Sequence, residues 1–192
     1  MSIRFDSGGH SFSMTLPSRA EGESVEAMLL TTRAMLIPSE MLRTSQRDFT
    51  PQLSEVGIYV DAQRDKVVTI WGDVISALVV VPLSLDETLN DHYNDNFEYM
   101  TPLLLERADN RVEERFVIVE RIEEVLALRA FDSSQLRFAD IYEVEGEEEL
   151  LYRLLRVSES LKLSAYTFIL YGCSDKEYSL INLYFKNVQR CE

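Results

Sequence analysis

Two changes of hydrophobic period within residues 123–171 constrain this chain more than any other feature. Residues 125–131 form an apolar run of strand length, and residues 136–142 alternate as a half-buried strand does. Between them, Asp132-Ser133-Ser134-Gln135 is turn chemistry, since Asp and Ser side chains bond their own backbone. The period then lengthens: Leu150, Leu151, Leu154, Leu155, Val157 and Leu161 recur at helical spacing. Glu147, Glu148 and Glu149 load acid into that helix's first turn, where the macrodipole favours it. Residues 166–171 close the unit as a buried strand, stopped by Gly172. Strand, turn, strand, helix, strand implies an α/β fold with mixed sheets.

The rest of the chain is placed around this unit. Residues 2–5 read as a short strand, Asp6-Ser7-Gly8-Gly9 as a turn, and residues 10–16 as a strand with Phe12, Met14 and Leu16 on one face. After a polar loop, residues 25–32 are a strand, and 33–37 continue it or turn into another. Pro38-Ser39-Glu40 is a helix entry with Ser39 as its cap. Residues 44–54 are polar and carry little pattern. Strands are expected at 56–60 and 66–71 with a turn between them. The β-branched run Leu78-Val79-Val80-Val81 suits a strand covered on both faces. A short helix capped by Ser84 runs to Leu89, and a second is expected at 99–107. Residues 108–111 form a hinge, which divides the chain into halves 1–110 and 111–192. A strand at 116–119, an amphipathic helix after Ser174 and a strand near 184–188 complete the reading. Phe5-Asp6-Ser7 echoes Phe131-Asp132-Ser133. Each triplet closes a strand ahead of a tight turn, as a duplicated architecture would.

Composition narrows the partners. The 192 residues suffice for one ordinary domain or two small lobes, and 46% hydrophobic residues allow a real core. The 33 acidic residues against 19 basic ones give a formal net charge of -14. Phosphate binding needs clustered Lys and Arg, so nucleic acid and anionic membrane surfaces are disfavoured. The acidity serves solubility, or affinity for a basic partner protein. Cys173 and Cys191 lack metal-ligand spacing, which suits a reducing compartment. Residues 1–6 carry no apolar signal-peptide core. The longest apolar run, 75–82, falls far short of a bilayer span. The expectation is a cytoplasmic protein with no membrane insertion.

Residues 2–13, 28–42 and 126–172 resemble a bacterial family of uncharacterised actin-like proteins with two ribonuclease H-like lobes and no assigned function. The chain is short for that family between Pro17 and Val25, where a helix is missing, so the first lobe is reduced. The resemblance implies two tandem ribonuclease H-like lobes of the actin-like ATPase superfamily, related to cytoplasmic assembly proteins of pili and secretion systems. In active members an Asp-x-Gly hairpin in each lobe holds phosphates and magnesium. Asp6, Ser7, Gly8 and Gly9 fit the first hairpin. Asp132, Ser133 and Ser134 fit the second in part, with Ser in place of Gly. The adenosine-binding Gly-Gly falls at Gly172, a single glycine here.

Each candidate has a plainer explanation. Asp, Ser and Gly are what hairpin turns need in any case. His10 and His92 lie near no nucleophile pattern and read as loop histidines. Asp91, Asp95 and Glu98 lack the glycine and spacing of a calcium loop. Trp71 is expected in the core. Tyr178, Leu180, Ile181, Leu183 and Tyr184 offer a helix face for a partner, with packing onto the second half as the default. The expected function is a non-catalytic actin-like scaffold that needs no cofactor and works through another protein, with a homodimer open to it. The alternatives are an actin-like ATPase using ATP and magnesium, and an acidic inhibitor of a basic protein.

Overall fold

The computed structural model describes residues 2–6, 25–44, 48–94, 96–105, 115–133 and 135–191. The chain divides into two units, Met1–Leu105 and Glu106–Glu192. The first contains β1 (Ser2–Asp6), β2 (Val25–Leu30), β3 (Ala34–Pro38), α1 (Ser39–Thr44), α2 (Thr50–Glu55), β4 (Asp65–Ile70), β5 (Ile75–Pro82), α3 (Leu83–Tyr93) and β6 (Phe97–Met100). A 3-10 turn at Pro102–Leu104 follows.

β5 carries the first unit's core on both faces. It lies between β3 and β4, antiparallel to each. Alternation sends Ala77, Val79 and Val81 to a core shared with Val25, Ala27 and Leu29 of β2 and with Leu85, Leu89 and Tyr93 of α3. Leu78 and Val80 go to the other side, against Ile37, Leu53 of α2 and Leu42 of α1. The β-branched run is therefore the doubly covered strand that its composition implies. The second sheet, β1-β2-β6, is parallel throughout.

Several expectations fail in this unit, each for a local reason. Residues 56–60 are not a strand. Gly57 adopts φ +83, and the N–H groups of Val56, Gly57 and Ile58 bond back to the carbonyls of Gln52, Ser54 and Leu53. The polar stretch 44–54 hides α2, whose entry has Pro51 in its first turn and Asp48 accepting the Thr50 N–H at 2.9 Å. Ser84 lies inside α3, which enters from Pro82 and runs on to Asn94 in the left-handed region. Of the helix expected at 99–107, the described residues 99–105 show a strand end, where Tyr99 pairs with Ala27, and the 3-10 turn at Pro102–Leu104. Ser39 is the first residue of α1, and its hydroxyl donates to Gly72 O at 2.7 Å. The expected strand at 10–16 and the hinge at 108–111 lie outside the described residues.

The second unit contains β7 (Arg115–Ile122), β8 (Val125–Asp132), β9 (Gln135–Glu143), α4 (Glu147–Leu161), β10 (Thr167–Tyr171), α5 (Asp175–Tyr184) and β11 (Val188–Arg190). Its sheet runs β11-β10-β7-β8-β9. β7, β8 and β9 form an antiparallel meander, while β10 is parallel to β7 and β11 to β10. One face packs Val117, Val119, Leu126 and Leu128 against Leu150, Leu154 and Val157 of α4 and Ile181 of α5. The opposite face buries an ion pair, with Arg129 donating to Glu120 at 2.7 Å. The last strand falls later than expected, because Phe185 turns inward to pack, tilted by 40°, against Phe168 at 4.2 Å.

α5 begins with a reciprocal cap. Ser174 Oγ accepts the Glu177 N–H at 3.3 Å, and Glu177 Oε2 accepts the Ser174 N–H at 2.7 Å. Ser174→Ala is expected to cost about 1 kcal/mol, seen as a lowered urea midpoint with unchanged slope. Among the described residues no helix is long and apolar enough to cross a membrane.

Candidate functional site

Asp65 opens β4 and pairs with Pro82 at the end of β5, so the chain before β4 and helix α3 emerge at the same end of that hairpin. A cleft of about 1170 Å³ lies there. Its floor is an ion pair between segments far apart in sequence. Arg33 forks onto Asp65, with distances of 3.2 and 2.5 Å, and also donates to Tyr59 O at 2.7 Å. Asp65 Oδ2 further accepts the Asp61 N–H at 2.9 Å. Arg64, Gln63, Ser84 and Glu87 line the rim. Arg64 faces Asp61 at 3.9 Å, so the cations of the cleft sit beside carboxylates. Such a lining suits a polar group of mixed charge better than a naked polyanion.

Burial acts to raise the Asp65 pKa. The Arg33 and Asp61 hydrogen bonds and the charges of Arg33 and Arg64 outweigh it, and the carboxyl lies below its ordinary value. A depressed carboxylate pKa contributes stability that is present above its unfolded value, about 3.9, and lost as pH falls through the folded one. Asp65→Asn is therefore expected to cost about 1–3 kcal/mol at pH 7. The gap from the parent should begin to narrow below about pH 4, as urea midpoints at pH 7 and pH 3 will check.

Of the residues expected to hold a nucleotide, Asp132 and Gly172 of the second unit lie at opposite ends of its sheet. Asp6 is the last residue of β1, paired with Leu30; Ser7, Gly8, Gly9 and Ser134 lie outside the described residues. Asp132 ends β8 opposite Arg115, whose Nε is 3.6 Å from its carboxylate. Ser133 turns through φ 50, its hydroxyl 3.3 Å from Asp132 Oδ1. Gly172 follows β10 at φ +67, and a Cβ there would meet Arg121 O at 2.2 Å. Arg115 and Arg121 stand at opposite ends of β7. Asp132 and Gly172 are thus separated by six residues of strand, about 20 Å. The turn and strand that would complete the echo after Asp6 lie outside the described residues. β1 pairs in parallel with β2, whereas β8 is antiparallel to both its neighbours.

The turn at Gly172's end of the sheet is Glu123-Glu124, with Glu123 at φ 54. The Glu124 carbonyl accepts the Val144 N–H at 2.8 Å. Arg121 lies there too, 3.4 Å from Glu177 and donating to Val144 O at 2.9 Å. Arg190 pairs with Asp175 and donates to Cys173 O at 3.0 Å. Burial pushes the Cys173 thiol up to about 12, assisted by the Glu177 carboxylate, so it is no nucleophile at neutral pH.

The profile of a protein family described as "Protein of unknown function (DUF3822)" matches residues 22–188. The chain belongs to this family. Among solved structures, the DUF3822 chain is similar to a Bacteroides thetaiotaomicron VPI-5482 protein with an actin-like ATPase fold and unknown function. The two are 18% identical with a TM-score of 0.71, over 88% of this chain and 68% of that one. It is also similar to the cytoplasmic domain of EpsL, an inner membrane component of the type II secretion system of Vibrio cholerae. There the identity is 13% and the TM-score 0.52, over 100% of this chain and 89% of that one. At such identities the likeness speaks for the fold alone, which is that of the actin-like ATPases. No curated protein matches.

The remaining candidates of the DUF3822 chain scatter. His92 is exposed in the last turn of α3, its ring edge-on to Tyr93 at 4.7 Å. Asp91 and Glu98 are exposed and Asp95 lies outside the described residues. Among the described residues no group of three or more His, Cys, Asp or Glu could hold a metal ion. Ile181 is buried, with Tyr178 and Leu180 packed beside it, while Leu183 and Tyr184 face outward. Trp71, expected in the core, is exposed. The cleft residues Arg33, Tyr59 and Asp65 escaped the sequence reading, because 32 residues separate the ion-pair partners and no motif joins them.

Proposed function

We propose that this chain is a non-catalytic actin-like scaffold that works by holding another protein, with two ribonuclease H-like lobes of which the first is reduced. The order β11-β10-β7-β8-β9, three antiparallel strands with two parallel ones added along the β7 edge, supports the lobe reading for the second unit. One structural neighbour is itself a component of a secretion system, which fits a role in assembly.

The observation that carries the non-catalytic reading is the acidity of Gly172's end of that sheet. The resemblance fits the second lobe's phosphate hairpin to Asp132, Ser133 and Ser134, at the far end of β7, whereas beside Gly172 the chain turns through Glu123-Glu124. Neighbouring α5 has its Glu177 amide engaged by Ser174 and carries Asp175 and Glu177 in its first turn. Arg121 and Arg190 are drawn to those carboxylates. A triphosphate entering here meets acid on several sides.

Calorimetric titration with ATP and magnesium tests the reading. The expected result is no binding at millimolar nucleotide. Micromolar binding lost in Asp6→Ala would replace it with the ATP-binding reading.

A further inference from the structure

We infer that the turn between β4 and β5 is a docking tip that inserts Trp71 and Val74 into an apolar, basic-rimmed pocket on a partner protein. The inference deepens the scaffold reading and rests on it. Trp71 is 57% exposed and Val74 78%, and Met41 of the adjoining α1 is 50% exposed. Trp71 is the chain's one tryptophan, the residue type most enriched among side chains that dominate binding energy. The tip stands at the end of the β4–β5 hairpin remote from the Asp65 cleft.

The turn is held by a closed ring of hydrogen bonds. Gly72 N–H donates to Ser76 Oγ at 3.2 Å. Ser39 Oγ donates to Gly72 O at 2.7 Å and lies 2.7 Å from Ser76 Oγ. Since the Ser39 proton is committed to Gly72, Ser76 supplies the proton between the two hydroxyls. Ser39 N–H also donates to Val74 O at 2.9 Å. Both serines are buried. Gly72 is required, because a Cβ there would meet Ile75 O at 2.2 Å. A turn fixed before binding loses little conformational entropy on docking.

Area and charge select the occupant. Three partly exposed side chains of this size present on the order of 300 Å², against about 800 Å² per partner in a stable interface. A symmetric dimer built on this tip alone is too small, whereas a wedge seated in a pocket is well served. Asp73 lies within the tip and Glu40 beside it. With a formal net charge of -14, a second copy and an anionic bilayer are both repelled, and a rim of Lys or Arg is attracted.

The test is a fluorescence titration of the full chain, in which Trp71 reports on its own surroundings. The probe is a synthetic amphipathic Leu/Lys helix, with a Leu/Glu helix, phosphatidylcholine/phosphatidylglycerol vesicles and the protein itself as competitors. The Leu/Lys helix should shift Trp71 emission to the blue, and the Leu/Glu helix should not. By anisotropy of the labelled Leu/Lys helix, Val74→Ser should weaken binding about tenfold. Ser39→Ala, which opens the ring but keeps the apolar side chains, should weaken it several-fold. Leu/Lys binding that leaves Trp71 emission unmoved, an equal response to the Leu/Glu helix, a shift produced by vesicles alone, or a dimer broken by Trp71→Ala would each overturn the assignment. Nucleotide binding would remove the scaffold reading while leaving the peptide-induced shift in place, so the two failures are separable.

Discussion

Gly172→Ala is expected to cost about 2–5 kcal/mol, the sum of left-handed backbone strain and an overpacked contact. Gly172 sits at φ +67, and an added Cβ would lie 2.2 Å from the Arg121 carbonyl oxygen. That oxygen belongs to β7, the central strand of the second unit's sheet, so it cannot move aside without disturbing pairs on both flanks. Gly57 is the internal control. Its φ is +83, yet a Cβ there meets nothing within 4 Å, so Gly57→Ala should cost only the strain, about 1–2 kcal/mol. Urea unfolding followed by circular dichroism measures both. Equal losses would mean that the contact with Arg121 contributes nothing.

The second large effect concerns the ion pair buried in that sheet. Glu120 is 3% exposed and Arg129 1%, on diagonal positions of β7 and β8. Glu120→Ala leaves the guanidinium buried without this carboxylate and is expected to cost about 3–5 kcal/mol. Glu120→Leu combined with Arg129→Met removes both charges at similar volume and should return most of that loss. A double-mutant cycle of unfolding free energies decides the matter, and a double variant as unstable as the single one would refute it.

The second unit was legible because each of its elements is announced locally. α4 shows its acidic first turn and apolar stripe, and β8 and β9 bracket a polar turn. Leu78 to Val81 declared a doubly covered strand for the same reason. Where reading failed, a weak local signal met a stronger one. Val56 and Ile58 have strand propensity, but hydrogen bonds back into α2 and the positive φ of Gly57 took that segment. Tyr99 to Leu105 has helical spacing, yet Tyr99 is drawn to β2. The site was less legible than the fold. Asp132 and Gly172 were grouped by the family resemblance, and only the register of β7 shows that a strand's length separates them. Arg33 and Asp65 meet through tertiary structure alone. Trp71 was assigned inward by the average behaviour of tryptophan, and its neighbours Gly72 and Asp73 were the sign of a turn that exposes it.

The double burial of β5 has a cost in the unfolded chain. Ala77-Leu78-Val79-Val80-Val81 carries no charge, proline or glycine, the composition that stacks into dry intermolecular β-structure once exposed. Ser76 and Pro82 are its nearest interruptions. Heating that frees this strand opens a route to aggregates in competition with refolding. The protein's working lifetime at elevated temperature is then set by how fast β5 escapes its two cores, and thermal scans will depend on heating rate.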